Sequence, residues 1–271
     1  MRRLRVISLA VILGMLLIGL AYPVLTPYHA GDFSHEVLMH PSGAHLLGTD
    51  EMGRDIFSML LAGFRVTLGI ALAAALIATF LGTVLAVLCA YYRGWFDRVV
   101  VRFTALFIIV PEIVVLLFFA SFAKPAVYNT VLAIAFFSWS KVTRIIRARA
   151  VPTIAREKIQ YTLLLKGNLG DILAKMWREL YPAVATMFVF QCSKAAVYEA
   201  TLSFFGIGDP LVRSWGRMIR AALDYEGIFI GGVYLWYLLP PIICISLFVV
   251  ALSFLAFERD WMSNDTDGFR A

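Results

Sequence analysis

From position 66 to position 90 the chain runs 25 residues without a charged side chain. At 1.5 Å per residue such a helix is about 37 Å long, enough to cross the roughly 30 Å hydrocarbon core of a bilayer. Inside lipid every backbone N–H and C=O needs an internal partner, which only helices and closed barrels provide. A barrel strand uses about ten residues of alternating polarity, so this run is helical. Composition points the same way. Hydrophobic residues make up 61% of the chain and charged ones 15%, against roughly 25% charged in soluble domains. The expected class is an all-α, polytopic helical membrane protein.

Five more apolar runs, at 6–25, 103–123, 127–142, 183–204 and 229–257, bring the expected number of transmembrane helices to six. The first follows MRRLR and has the basic start of a cleavable leader. Its length and its lack of a small-x-small site favour a retained span. Lysine and arginine then orient the chain. Seventeen of the 24 lie at the N-terminus, in 93–102, in 141–178 and in the tail. Six lie on the opposite side: Arg54, Arg65, Lys124, Arg213, Arg217 and Arg220. Both termini and the 141–182 segment are therefore expected in the cytoplasm. The same sorting accounts for the net charge of +6, so nucleic acid is not an expected partner, whereas membrane lipid is.

Glu112, Lys194 and Glu199 fall inside the apolar runs. Ionised groups in hydrocarbon are costly and usually face a bundle interior or an aqueous path. Glu112 follows Pro111, where a broken helix ladder leaves backbone groups in need of partners. Lys194 and Glu199 are five residues apart, about 500° around a helix, so each is expected to seek a partner on another element. These three are the candidates for a translocation path, with a neutralising packing contact as the plainer reading.

Segment 141–182 is the one substantial cytoplasmic stretch. Residues 141–149 read as a continuation of the fourth helix into water. Beyond Pro152, apolar positions recur at helical spacing over 154–165. Gly167 and Gly170 are suited to end that helix, and Asp171 to cap the next. A short helix held between turns is a handle for a partner protein, or else an interfacial helix resting on anionic lipid. Outside the membrane, HLLGTDEMGRD (45–55) concentrates three acids, a histidine and two glycines. Asp50 is placed to cap a short helix from Glu51, with Arg54 and Asp55 satisfying each other or neighbours. The three cysteines lie within spans as small apolar groups, and the four histidines make no metal spacing. With no GxxxxGK[ST] phosphate loop and no nucleophile elbow or metalloprotease motif, neither a cofactor site nor catalysis is expected in this chain.

HLLGTDEMGRDIFSMLLAGFRVTL (45–68) resembles HPLGTDxxGRDxxSRLxxGxRxSL, the pattern of the C-type inner-membrane permease subunits of dipeptide, oligopeptide and nickel ABC importers. YYRGWFDRVVVR (91–102) is similar to that family's GYxGGxxDxxxMR, and SWGRMI (214–219), after the turn FFGIGDP, to its SWGxM. Trp236, Pro240 and the closing FERD fit more loosely. The resemblance implies a type I ABC importer permease fold in the cell inner membrane and a transport subunit rather than an enzyme. It also implies a second homologous permease, two cytoplasmic ATPases that bind ATP and Mg, and an extracytoplasmic solute-binding protein. On that basis residues 1–65 form an N-terminal helix with an extracytoplasmic segment. Residues 66–260 form the permease core, including a coupling segment at 143–182, and 261–271 a cytoplasmic tail.

The coupling segment is also where this chain departs from the family pattern YVEAARALGASDxRIIxRHILPN. Here Tyr161, Thr162 and Leu163 stand in place of Glu-Ala-Ala if Gly167 takes the family glycine. If Pro182 sets the register instead, that glycine position falls at Leu169. The residues expected to couple to the ATPase are Arg156, Glu157, Tyr161, Thr162, Leu163, Gly167, Gly170 and Asp171. Peptides are the expected solute, with nickel or another small solute as the alternative. A non-transporting structural or sensory protein and an ion-coupled secondary transporter are the readings from other classes.

Overall fold

The computed structural model describes residues 2–165 and 169–268. Its helices, in chain order, are α1 (Arg2–Leu25), α2 (Ile56–Tyr92), α3 (Gly94–Ile109), α4 (Glu112–Phe122), α5 (Val127–Ile154), α6 (Glu157–Leu164), α7 (Leu169–Phe204), α8 (Trp215–Asp224), α9 (Tyr234–Tyr237) and α10 (Leu239–Gly268). Among the described residues there is no strand, only an isolated bridge between Thr49 and Asp55. Among the described residues four helices, α1, α2, α7 and α10, are long and apolar enough to cross a membrane, and the bent pair α3–α4 makes a fifth candidate. The remaining run of the expected six, 127–142, is the apolar half of α5. Its 16 residues rise about 24 Å, short of the core thickness, and the rest of the helix is basic.

α2 is the central post, packing on α1, α5 and α7. Its small residues make this possible. Ala71, Ala74, Ala75, Ala78 and Ala86 are all buried, and they let neighbouring backbones approach closely. At Gly82 a Cβ would lie 2.6 Å from Val142 Cβ and 2.9 Å from Trp139 O. At Gly63 it would collide with the Trp215 ring. That ring is fully buried, stands edge-on to Phe64 and donates its Nε1–H to Leu60 O at 3.2 Å. The SWGRM stretch thus plugs α8 into the side of α2, with Ser214 Oγ capping α8 by accepting from Arg217 N.

Two boundaries differ from the sequence expectation. α7 runs unbroken through Pro182 and joins the end of the 141–182 segment to the fifth apolar run. Thr186 Oγ1 donates to the Pro182 carbonyl one turn away. Asp171 consequently sits in the first turn of α7, where an acid favours the helix dipole without being the cap.

The 45–55 stretch is scaffold with a different wiring from the expected one. Asp50 caps no helix. Its carboxylate accepts from Met52 N at 2.9 Å, Arg54 N at 2.8 Å and Arg54 Nε at 2.5 Å, closing a tight loop. Gly53, at φ +73°, completes that loop where a Cβ would meet His35 O. Asp55 is the cap of α2, accepting from Ser58 N at 2.7 Å. Its other oxygen meets His45 Nδ1 at 2.9 Å, with both side chains buried. Arg54 and Asp55 are therefore each satisfied by neighbours, Asp50 for one and His45 and Ser58 for the other, rather than by each other. Tyr237 donates its hydroxyl to Glu51 at 2.7 Å, so this segment is tied to the end of α9, just ahead of α10.

Candidate translocation site and coupling segment

The chain breaks at Pro111. Val110 and Pro111 are extended, α4 restarts at Glu112, and α3 and α4 meet at 88°. The restart places the Glu112 carboxylate at the first turn of α4, where the Pro111 carbonyl already accepts from Val114 N and Val115 N. Across the break, Lys194 Nζ on α7 donates to both Glu112 oxygens at 2.5 and 2.6 Å. From α5, Ser138 Oγ donates to Glu112 Oε1 at 2.9 Å, and Lys141 Nζ lies 3.5 Å from Oε2. Gln191 Nε2 donates to the Ser138 carbonyl at 2.7 Å, and the Lys194 ammonium sits 5.1 Å from the Tyr198 ring centre.

This is a charged knot joining α4, α5 and α7. The Glu112 and Lys194 side chains are only 8% and 11% exposed, whereas Lys141 is 44% exposed. In such surroundings the attraction offsets desolvation only when the remaining lone pairs and protons are also served, and here Ser138 and Lys141 supply the extra donors. Beside the knot, Val114 and Phe118 of α4 and Phe190 and Val197 of α7 are exposed.

Glu199 is not part of it. Five residues beyond Lys194 it faces away, fully buried, and accepts from Ser203 Oγ at 2.7 Å. Its second oxygen has no partner among the described residues. It borders a small void with Thr130, Asp209 and Ser214. Two of the three intramembrane candidates thus meet, and the third lies apart. Ser138, Gln191, Lys141 and Tyr198 complete the knot without having been singled out in the sequence. Gln191 and Tyr198 share the Lys194 face of α7 at helical spacing, whereas Ser138 lies 26 positions from Glu112 on another helix, where no spacing rule points.

The segment expected to couple to an ATPase folds as a helical hook. α5 extends through Pro152 to Ile154, a turn follows at Ala155 and Arg156, and α6 covers Glu157–Leu164. Ile159, 1% exposed, inserts among Ala90, Ile154, Ile172, Met176 and Leu180. Lys175 Nζ donates to Thr162 Oγ1 at 2.6 Å, and Arg156 pairs with Glu179 at 3.0 Å. The other face points outward, with Tyr161 63%, Leu164 77% and Leu165 82% exposed. Glu157, Gly170 and Asp171 are exposed beside it. Gly167 lies outside the described residues. Leu163 is on α6. At the root of the hook, Arg147 makes a two-pronged ion pair with Asp97, tying α5 to α3.

Comparison with known proteins bears on this architecture. Residues 82–257, more than half of the chain, match the family described as Binding-protein-dependent transport system inner membrane component. A protein of Brucella suis biovar 1, named there as a candidate peptide permease, is 30% identical over 258 residues, covering 93% of this chain and 84% of its own length. Similarly named proteins of Brucella ovis and Brucella abortus biovar 1 are 29% identical over the same shares. The chain belongs to the binding-protein-dependent transport system inner membrane components, the permeases of ABC importers.

Proposed function

We propose that this chain is one of two homologous permease subunits of an ATP-driven peptide importer in the cell inner membrane, with both termini in the cytoplasm. Two cytoplasmic ATPases, which bind ATP and Mg, drive it, and an extracytoplasmic solute-binding protein delivers the peptide. The peptide assignment rests on the names of the relatives, and the orientation on the distribution of lysine and arginine.

The observation that carries the coupling role is the two-faced α6. Ile159 and Thr162 fasten the helix to α5 and α7, while Tyr161, Leu164 and Leu165 are offered to a partner. A push on that outer face is transmitted through the root of α7, because α7 is one helix from Leu169 to Phe204. The same helix carries Lys194. Movement of α7 relative to α4 would open the Lys194–Glu112 contact beside the bent α3–α4 span and expose a polar surface to the solute. Coupling and path are then two ends of one rigid element.

Leu164→Asp with Leu165→Asp tests the coupling role, because both side chains are already in solvent and the fold does not depend on them. The variant is expected to insert normally, to lose its ATPase in a tagged-chain pull-down, and to lose ATP-dependent peptide uptake. Retention of both the ATPase and uptake would remove α6 as the docking face.

A further inference from the structure

At the end of the bundle that carries the 45–55 loop, a groove of about 480 Å³ opens between the ends of α1 and α2 and the loop before α8. One stripe of α2 forms its floor: Ala62, Val66, Gly69 and Ile70. Arg65, Arg213, His29 and Tyr22 lie around it. No acidic side chain lines it among the described residues.

The two arginines are presented differently. Arg213 is held by its Nε to the Ala30 carbonyl at 3.2 Å and by Nη1 to the Leu211 carbonyl at 3.2 Å. Arg65 is exposed and makes no hydrogen bond or ion pair among the described residues. It is the last charged residue before the 25-residue uncharged run, which puts it at the boundary between hydrocarbon and head groups. Gly69 lies one turn deeper, is exposed, and a Cβ there would meet nothing within 4 Å. Positive charge at the polar boundary, with an open apolar trough running inward from it, matches a ligand that is anionic at one end and hydrocarbon at the other. α1, which walls the groove, is itself mostly exposed along its apolar length, so this flank of the bundle faces lipid.

We propose that the groove is a binding site for an anionic phospholipid, its phosphate held between Arg65 and Arg213 and an acyl chain lying over Gly69. A zwitterionic lipid brings a compensating ammonium close to these arginines and gains less. An interfacial arginine contributes about a fivefold preference for anionic lipid, so two give about 25-fold.

Native mass spectrometry of the full chain, purified through a tag with the subunits it carries along, reads the retained lipid directly. With phosphatidylglycerol and phosphatidylcholine supplied equally, the wild type is expected to retain phosphatidylglycerol about 25-fold better. Arg65→Ala is expected to cut this preference about fivefold. Gly69→Leu, which projects into empty space and leaves the fold intact, is expected to abolish retention by filling the trough. Equal retention of the two lipids would overturn the proposal, as would unchanged retention in both variants. A third arm adds inorganic phosphate or an acidic dipeptide as competitor. Displacement of phosphatidylglycerol by either would show a site for soluble anions and refute the lipid assignment.

Discussion

Removing one partner of the Glu112–Lys194 pair tests whether the knot joins α4 to α7 as an ion pair. Breaking a buried pair from one side costs about 3–5 kcal/mol, because the surviving charge is left uncompensated. The two single variants should not be equal. In Lys194→Met the carboxylate keeps Ser138 at 2.9 Å and Lys141 at 3.5 Å, which places the cost near the lower end, about 3 kcal/mol. In Glu112→Gln two ammonium groups remain around a neutral amide, and Lys194 is only 11% exposed, so the cost rises to about 4 kcal/mol. The double variant leaves no unpaired buried charge apart from the half-exposed Lys141. It is expected to cost about 2 kcal/mol rather than about 7, a coupling near 5 kcal/mol. Reversible unfolding of the full chain in mixed micelles, followed by tryptophan fluorescence, gives all four corners of the cycle. Neutral hydrogen bonds between membrane helices are worth about 0.6–2 kcal/mol, so a coupling above that range identifies an ion pair. Additive single variants would refute the reasoning and leave Glu112 and Lys194 as independent polar groups.

Gly82→Val should separate α2 from α5, since even a Cβ there presses on Val142 and the Trp139 carbonyl. Overpacking of this kind costs about 1–3 kcal/mol, and the same unfolding titration should register it, while Gly69→Leu leaves the midpoint unchanged. Asp55→Ala should lose about 1 kcal/mol through the α2 cap and release His45. Asp55→Asn, whose side-chain oxygen still accepts from Ser58 N, should recover most of the loss.

Hydropathy made the crossing helices legible, because a bilayer demands long uncharged runs and leaves few alternatives. It reads less well where one helix serves two solvents. α5 is half apolar and half basic, so only its first 16 residues resembled a span. Pro182 suggested a break, yet α7 continues through it. Pro111 does break the chain, with an 88° turn, and nothing local distinguishes the two prolines. In HLLGTDEMGRD the candidate residues were visible but their roles were exchanged. Either aspartate is followed by donors it can reach, and the positive φ at Gly53 decides which closes the loop and which caps the helix. Lys194 and Glu112 stood out as charges in hydrocarbon, but their pairing across 82 residues is a product of packing. Glu199 carried the same signal and went elsewhere.

Uptake by proteoliposomes tests the central claim most directly. The transporter containing this chain is reconstituted with its solute-binding protein, and a labelled dipeptide is supplied on the side of the 45–55 loop. Accumulation that requires ATP and Mg on the opposite side, persists with ion gradients collapsed, and disappears in Leu164→Asp/Leu165→Asp is the predicted result. Accumulation that follows a proton or sodium gradient without ATP would contradict it.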